Sequence, residues 1–240
     1  MTNCIKCATI YRVEDFIIRH ILFGKNQINL NVQTGEFIFM KFNYVTIERE
    51  YGSGGTFVAH KLAEECGITC YGREILEEVS KEYNISPESI EQYEETVTNS
   101  FLYSILLISR AQAGDPDMLA NEGHIYVAEQ LMIKKMAARG RAVFLGHCAS
   151  EALKDKKGVL KVFIRSTKED KAKRIMETYG TDPDDVELVR KRFDKKRANY
   201  FFANTAKRWD DFTHYDIVLD VSALGIDGCV QALKSLMEME

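Results

Sequence analysis

Two groups of residues in this sequence could do chemistry. The first is Arg49-Glu50-Tyr51-Gly52-Ser53-Gly54-Gly55-Thr56, where three glycines in four positions let the backbone take positive φ and approach a ligand closely. It follows Tyr44-Val45-Thr46-Ile47, a β-branched and aromatic run that predicts a short buried strand. It precedes Val58, Leu62 and Cys66, whose spacing predicts an amphipathic helix. Strand, glycine turn and helix in that order put unpaired amides at a helix N-terminus, where backbone donors and dipole both favour a phosphate. A tight strand-to-helix corner would use the same glycines. The second group is Arg190, Asp194 and Arg197, at i, i+4 and i+7 and therefore on one helix face. An arginine fork there suits phosphate or ribose, and an exposed ion-paired face gives the same spacing.

A phosphate loop of the usual kind reads G-x-x-x-x-G-K-[ST]. With Gly54 as the glycine before the lysine, Gly55 stands in the lysine position and Thr56 in the hydroxyl position. The cradle is present without its lysine, and Arg49 is the nearest cation. The Thr56 hydroxyl is placed either to cap the helix or to ligate magnesium.

The elements that must position these groups follow in order. Gly67 to Tyr71 predicts a second short strand, and Arg73 opens a helix to about Tyr83. Ser86 and Pro87 restart a helix, and the apolar stretch from Thr96 to Ala113 predicts another, broken at Asp115-Pro116-Asp117. A further helix is expected from about His124 to Arg139. Strands are predicted at Arg141–Leu145, Leu160–Arg165 and Tyr215–Asp220, and helices at Lys168–Tyr179 and from Gly225 to Met237. Asp182 and Pro183, with Asp184, Asp185 and Glu187 behind them, predict the start of the helix that carries Arg190. Strands alternating with helices imply a parallel sheet covered on both faces, with ligands at the carboxyl ends of the strands.

The 240 residues are enough for a full core, and the formal net charge of −4 supplies no global field for nucleic acid. No apolar run is long enough for a membrane span and no secretory signal is visible, so a cytoplasmic protein is expected. The six cysteines are scattered, which favours reduced thiols; Cys4-x-x-Cys7 could be half of a zinc site, but no second close pair accompanies it. Residues 1–39 differ from the rest: Gln27–Val32 and Glu36–Phe39 predict a hairpin around Thr34-Gly35. Met40 stands directly before the central strand, so residues 1–39 are expected to be an extension, possible to omit from the working protein, and 40–240 the functional domain.

From about Phe42 to Glu238 the chain resembles the cytidylate kinase-like family of P-loop nucleoside monophosphate kinases. The resemblance is carried by Arg49 to Gly55, by Gly146-His147-Cys148-Ala149, and by Arg190-x-x-x-Asp194-x-x-Arg197-x-x-Tyr200 followed by Trp209 and Tyr215-Asp216. It implies an α/β P-loop kinase fold: a central parallel five-stranded sheet with helices on both faces, a helical substrate-binding insert, and a lid in the segment after Arg165. The activity implied is transfer of the terminal phosphoryl group of ATP, with Mg2+, to CMP or dCMP. A nucleotide-binding sensor without turnover, or a kinase for another small acceptor, is the alternative. The implied ATP-binding residues are Arg49, Gly52, Ser53, Gly54, Gly55 and Thr56, with Thr56 also toward magnesium. Catalytic cations would be Arg174, Arg190 and Arg197, and acceptor contacts Arg73, His147 and Asp194. Arg174 reads equally as a solvated arginine, His147 as a core histidine, and Arg73 as a first-turn residue. The sequence departs from the family where Gly55 replaces the loop lysine, His147 an arginine, and Cys148 a carboxylate near the base. Small nucleotides are the expected partners, without nucleic acid or membrane, and oligomeric state is left open.

Overall fold

The computed structural model describes residues 28–30, 37–39, 42–86 and 122–238. The chain divides into two compact units, residues 1–41 with 235–240, and residues 42–234. In the first, β1 (Ile28–Leu30) pairs antiparallel with β2 (Phe37–Phe39), Ile28 opposite Phe39. This is the pairing expected of the predicted hairpin.

The second unit is built on five parallel strands. They are β3 (Tyr44–Arg49), β4 (Thr69–Tyr71), β5 (Ala142–Leu145), β6 (Val159–Arg165) and β7 (Ile217–Asp220), in the spatial order β4-β5-β3-β6-β7. Parallel strands covered on both faces read as continuous apolar runs, and all of β5 is buried accordingly. Val45 of β3 lies beside Val143 of β5 and Leu160 of β6. From this central strand the chain crosses to the β4 edge, while β6 and β7 extend the sheet on the other side. The end of β3 is thus a topological switch point, where such sheets bind ligands.

Helix α1 (Gly55–Glu65) follows β3 and packs against β3, β4 and β5, burying Val58, Ala59, Leu62 and Ala63. Helices α2 (Glu74–Tyr83), α3 (Glu122–Ala138) and the short α4 (Ala149–Ala152) share a core with Tyr44 and Phe144, through Ile75, Val79, Met132 and Met136. After β6 come α5 (Lys168–Tyr179) and α6 (Val186–Thr205). Thr167 caps α5, its Oγ1 accepting from Asp170 N at 3.3 Å, and Gly180 ends it at φ 62°. A single 3-10 turn, Phe212–His214, precedes β7, and α7 (Val221–Glu238) closes the chain.

Two boundaries differ from the sequence expectation. Asp182 and Pro183 do not start α6: Asp182 Oδ1 accepts from Asp184 N and its carbonyl from Asp185 N, closing a separate turn, and the helix begins at Val186. The final helix does not start at Gly225. Gly225 at φ 70° and ψ 170° is a break between a first helical turn and the remainder. The helices expected after Ser86-Pro87 and at Thr96–Ala113 lie outside the described residues, as do Cys4 and Cys7, so that of the expected helical insert only the helix at about His124–Arg139 is described, as α3. Cys66, Cys70, Cys148 and Cys229 are free thiols, as expected. Among the described residues no helix is long and apolar enough to cross a membrane.

Candidate functional site

The glycine turn joins β3 to α1 with Gly52 at φ 75° and Gly54, the α1 N-cap, at φ 90°. No side chain caps this helix; Ser53, fully buried, turns its Oγ inward to accept from Gly55 N at 3.3 Å. Four consecutive residues entering the turn are each tied to α5 or α6. Arg197 Nη1 donates to the Arg49 carbonyl at 2.9 Å, and Lys171 Nζ to Glu50 Oε2 at 2.8 Å. Tyr51 N donates to Asp194 Oδ1 at 2.6 Å, and Arg174 Nη1 to the Gly52 carbonyl at 2.6 Å. Tyr51 itself is stacked between Tyr179 and Phe193, at 5.2 and 4.3 Å between ring centroids, with the Arg197 guanidinium 5.5 Å from its ring centre.

Above the turn is an open pocket of about 260 Å3, solvent at its mouth included. The predicted residues Arg49, Gly52, Gly54, Gly55, Thr56, Arg174 and Arg197 all line it, and Glu50, Phe57 and Tyr179 join them. Burial and then the nearby Arg197 pull the Arg49 guanidinium down to about 10, and its Nε is shut off from solvent with no hydrogen-bond partner. Burial also lowers Arg197, against the attraction of Asp194 and Glu48. Two partly buried cations facing one pocket, with an orphaned donor on one, fit a polyanion.

The metal fit is narrower. Among the described residues no group of three or more His, Cys, Asp or Glu side chains could hold an ion. Magnesium binds through few protein ligands plus substrate phosphates, so Thr56 would hold an ion that arrives with a nucleotide.

The family model that matches is the cytidylate kinase-like family, over residues 44–223. The chain belongs to this family. A crystal structure of an uncharacterized protein from Eubacterium ventriosum is 26% identical, with 82% of this chain and 99% of that one covered and a TM-score of 0.61. Shikimate kinase from Bacteroides thetaiotaomicron is 14% identical over 82% of this chain and 98% of that one, with a TM-score of 0.44. For a gluconokinase from Sinorhizobium meliloti the values are 15%, 81%, 93% and 0.42. No curated protein matches. The fold is therefore that of a P-loop kinase, and the family is kinase-like.

The remaining predicted residues are placed differently. Arg190 does not line the pocket: it donates through Nε and Nη2 to Glu187 and through Nη1 to Asp194 Oδ2, the ion-paired helix face that its spacing also allowed. Asp194 holds the loop, and burial raises its carboxyl against the opposing Tyr51 N–H. Arg73 is exposed at the N-cap of α2. His147 and Cys148 stand at φ 55° and 50° just past β5, a left-handed pair that L side chains adopt at some cost. His147 Nδ1 lies 3.8 Å from Glu129 Oε2, which also accepts from the Tyr200 hydroxyl, while Glu129 Oε1 is buried without a partner.

Sequence reasoning missed Glu129, although it shares one face of α3 with buried Ile125, Met132 and Met136. A lone carboxylate on an apolar face is the signal that could have found it. It also missed Glu48, buried beside the loop, whose Oε2 accepts from Trp209 Nε1 at 3.2 Å.

Proposed function

We propose that this protein is a phosphotransferase that moves the terminal phosphoryl group of ATP to CMP or dCMP. The reading is supported by one observation above the others: Arg49, Arg174 and Arg197 come from three separate elements to one glycine-lined pocket at the end of the central strand. Phosphoryl transfer asks a protein mainly for positioning and neutralisation of charge, and converging arginines supply both. Magnesium, bound with the nucleotide beside Thr56, would add neutralisation of the phosphate oxygens. In this reading α5 and the turn that follows it form the lid, and the acceptor lies near His147 at the end of β5. The enzyme is cytoplasmic and acts on small nucleotides, without nucleic acid or membrane partners.

Two observations favour other readings. Gly55 in the lysine position favours a nucleotide sensor without turnover. The His147, Glu129 and Tyr200 cluster, with Cys148 beside it, favours an acceptor other than a cytosine nucleotide. An ADP-release assay with ATP and magnesium over a panel of nucleoside monophosphates separates them. Turnover with CMP or dCMP is expected. ATP binding without turnover of any acceptor defeats the kinase reading.

A further inference from the structure

The lysine position of the loop is occupied, though not by its own side chain. An ideal Cβ on Gly55 would lie 2.6 Å from Arg49 Cβ, 3.0 Å from Arg49 Cγ and 3.1 Å from Ile164 Cβ. Gly55 is an ordinary first helical residue and is not among the positive-φ glycines. Its backbone therefore tolerates any residue, and what excludes a side chain there is crowding by Arg49 Cβ and Cγ and by Ile164 Cβ. The guanidinium continues to the end of β5, where an ideal Cβ on Gly146 would lie 2.6 Å from Arg49 Nη1. Arg49 thus runs from the last residue of the central strand, across the place from which a loop lysine would start, to the mouth of the neighbouring strand.

Its charge is not satisfied by the fold. Among the described residues it makes no ion pair, and its Nε has no partner. Glu48, adjacent in sequence, attracts it but makes no ion pair with it, since successive strand residues point to opposite faces and Glu48 Oε2 is engaged by Trp209. The pocket holds two further cations, Arg174 and Arg197, and one carboxylate, Glu50, which Lys171 engages. A half-buried cation without an acceptor costs stability unless an anion completes it. A residue kept only for packing would need no such head group.

We infer that Arg49 is the phosphate-binding cation of this loop, delivered from the strand in place of a helix lysine for which the start of the Arg49 side chain and Ile164 leave no room at Gly55. The inference rests on the proposed reading that the pocket takes the polyphosphate of a nucleoside triphosphate. It also answers the objection that the missing lysine raises against turnover, because the cation has been relocated.

Calorimetric titration of the full chain with ATP and with inorganic tripolyphosphate, alongside melting temperatures, tests it. Arg49→Met keeps the stem over Gly55 and removes the charge. It should lose about 10- to 150-fold in affinity for both ligands while melting close to the parent. Arg49→Lys should retain more affinity than Arg49→Met. Gly55→Lys should weaken binding through collision with Arg49 Cβ and Ile164 Cβ. Affinity of Arg49→Met within about twofold of the parent overturns the inference, as does a parent protein that binds neither ligand. A parent that binds tripolyphosphate in an Arg49-dependent way yet phosphorylates nothing defeats the kinase reading and upholds the role of Arg49. A parent that turns over, with Arg49→Met equally active and equally tight, does the reverse.

Discussion

Replacing Arg197 with alanine should cost stability as well as ligand binding, because this arginine serves the loop before it serves any substrate. Its Nη1 donates to the Arg49 carbonyl at 2.9 Å, and its guanidinium lies 5.5 Å from the centre of the Tyr51 ring. A charged hydrogen bond is worth about 1.5–3 kcal/mol and a cation–ring contact about 0.5–2 kcal/mol. Against this, Arg197→Ala removes a repulsion that helps to pull Arg49 down to about 10. The net loss is therefore about 2–3 kcal/mol, and at about 2–4 °C per kcal/mol for a chain of this size the melting temperature should fall by about 4–12 °C. Arg197→Lys keeps a donor and a charge but loses the planar head, and should fall between the two. Differential scanning calorimetry reads the stability, and titration with ATP reads the binding, which should weaken at least about tenfold in Arg197→Ala. A melting temperature within about a degree of the parent would refute the assignment of Arg197 as a tie between α6 and the loop.

Gly52→Ala places a Cβ 2.7 Å from Ile175 Cγ1 and 2.9 Å from the Lys171 carbonyl at φ +75°, so it should destabilise by about 2–4 kcal/mol and loosen α5, as read by chemical denaturation. Glu48 is raised above its ordinary value, chiefly by burial; its folded form holds a proton more tightly than the unfolded chain, so its contribution is greatest below about pH 4.5 and declines as pH rises toward the folded value. Glu48→Gln keeps an acceptor for Trp209 and should flatten that decline in melting temperature between pH 4.5 and 8; an unchanged slope would remove Glu48 as its source. Deleting residues 1–39 should leave ATP affinity and the melting of the 42–234 unit unchanged, and a fall of several degrees on deletion would make the extension structural.

The inner strands β3, β5 and β6 were legible because parallel strands covered on both faces leave short apolar runs, and the partly buried edge strands β4 and β7 through their β-branched and aromatic residues. The glycine turn was legible as a phosphate cradle because strand, turn and helix each left a separate signal. The start of α6 was not, because Asp182 and Pro183 carry the same preference for a helix start as for a tight turn, and here the turn won. Arg190, Asp194 and Arg197 were legible as one face, yet spacing does not say what a face meets. Arg190 spends its donors on Glu187 and Asp194, while Arg197, two turns later, passes under the loop to the end of β3. Glu129 was hidden because its partners, His147 and Tyr200, are far from it in sequence.

The ties at residues 49–52 explain why α6 carries so polar a face without that face being solvent or substrate alone. A glycine-rich turn has the most conformational freedom to lose on ordering, and two positive-φ glycines make this one especially costly to hold. Packing reaches the turn mainly through Tyr51, stacked on Tyr179 and Phe193, because its glycines offer no side chain. Hydrogen bonds to its backbone and first side chains must hold it instead, and they arrive at every residue from Arg49 to Gly52. Two come from α5 through Lys171 and Arg174, and two from α6 through Asp194 and Arg197. Displacing either helix would therefore release two of the four ties at once, and with them Arg174 or Arg197, both of which line the pocket. The geometry that orders the loop is the same geometry that gathers its cations, so the pocket is complete only while α5 and α6 are both seated.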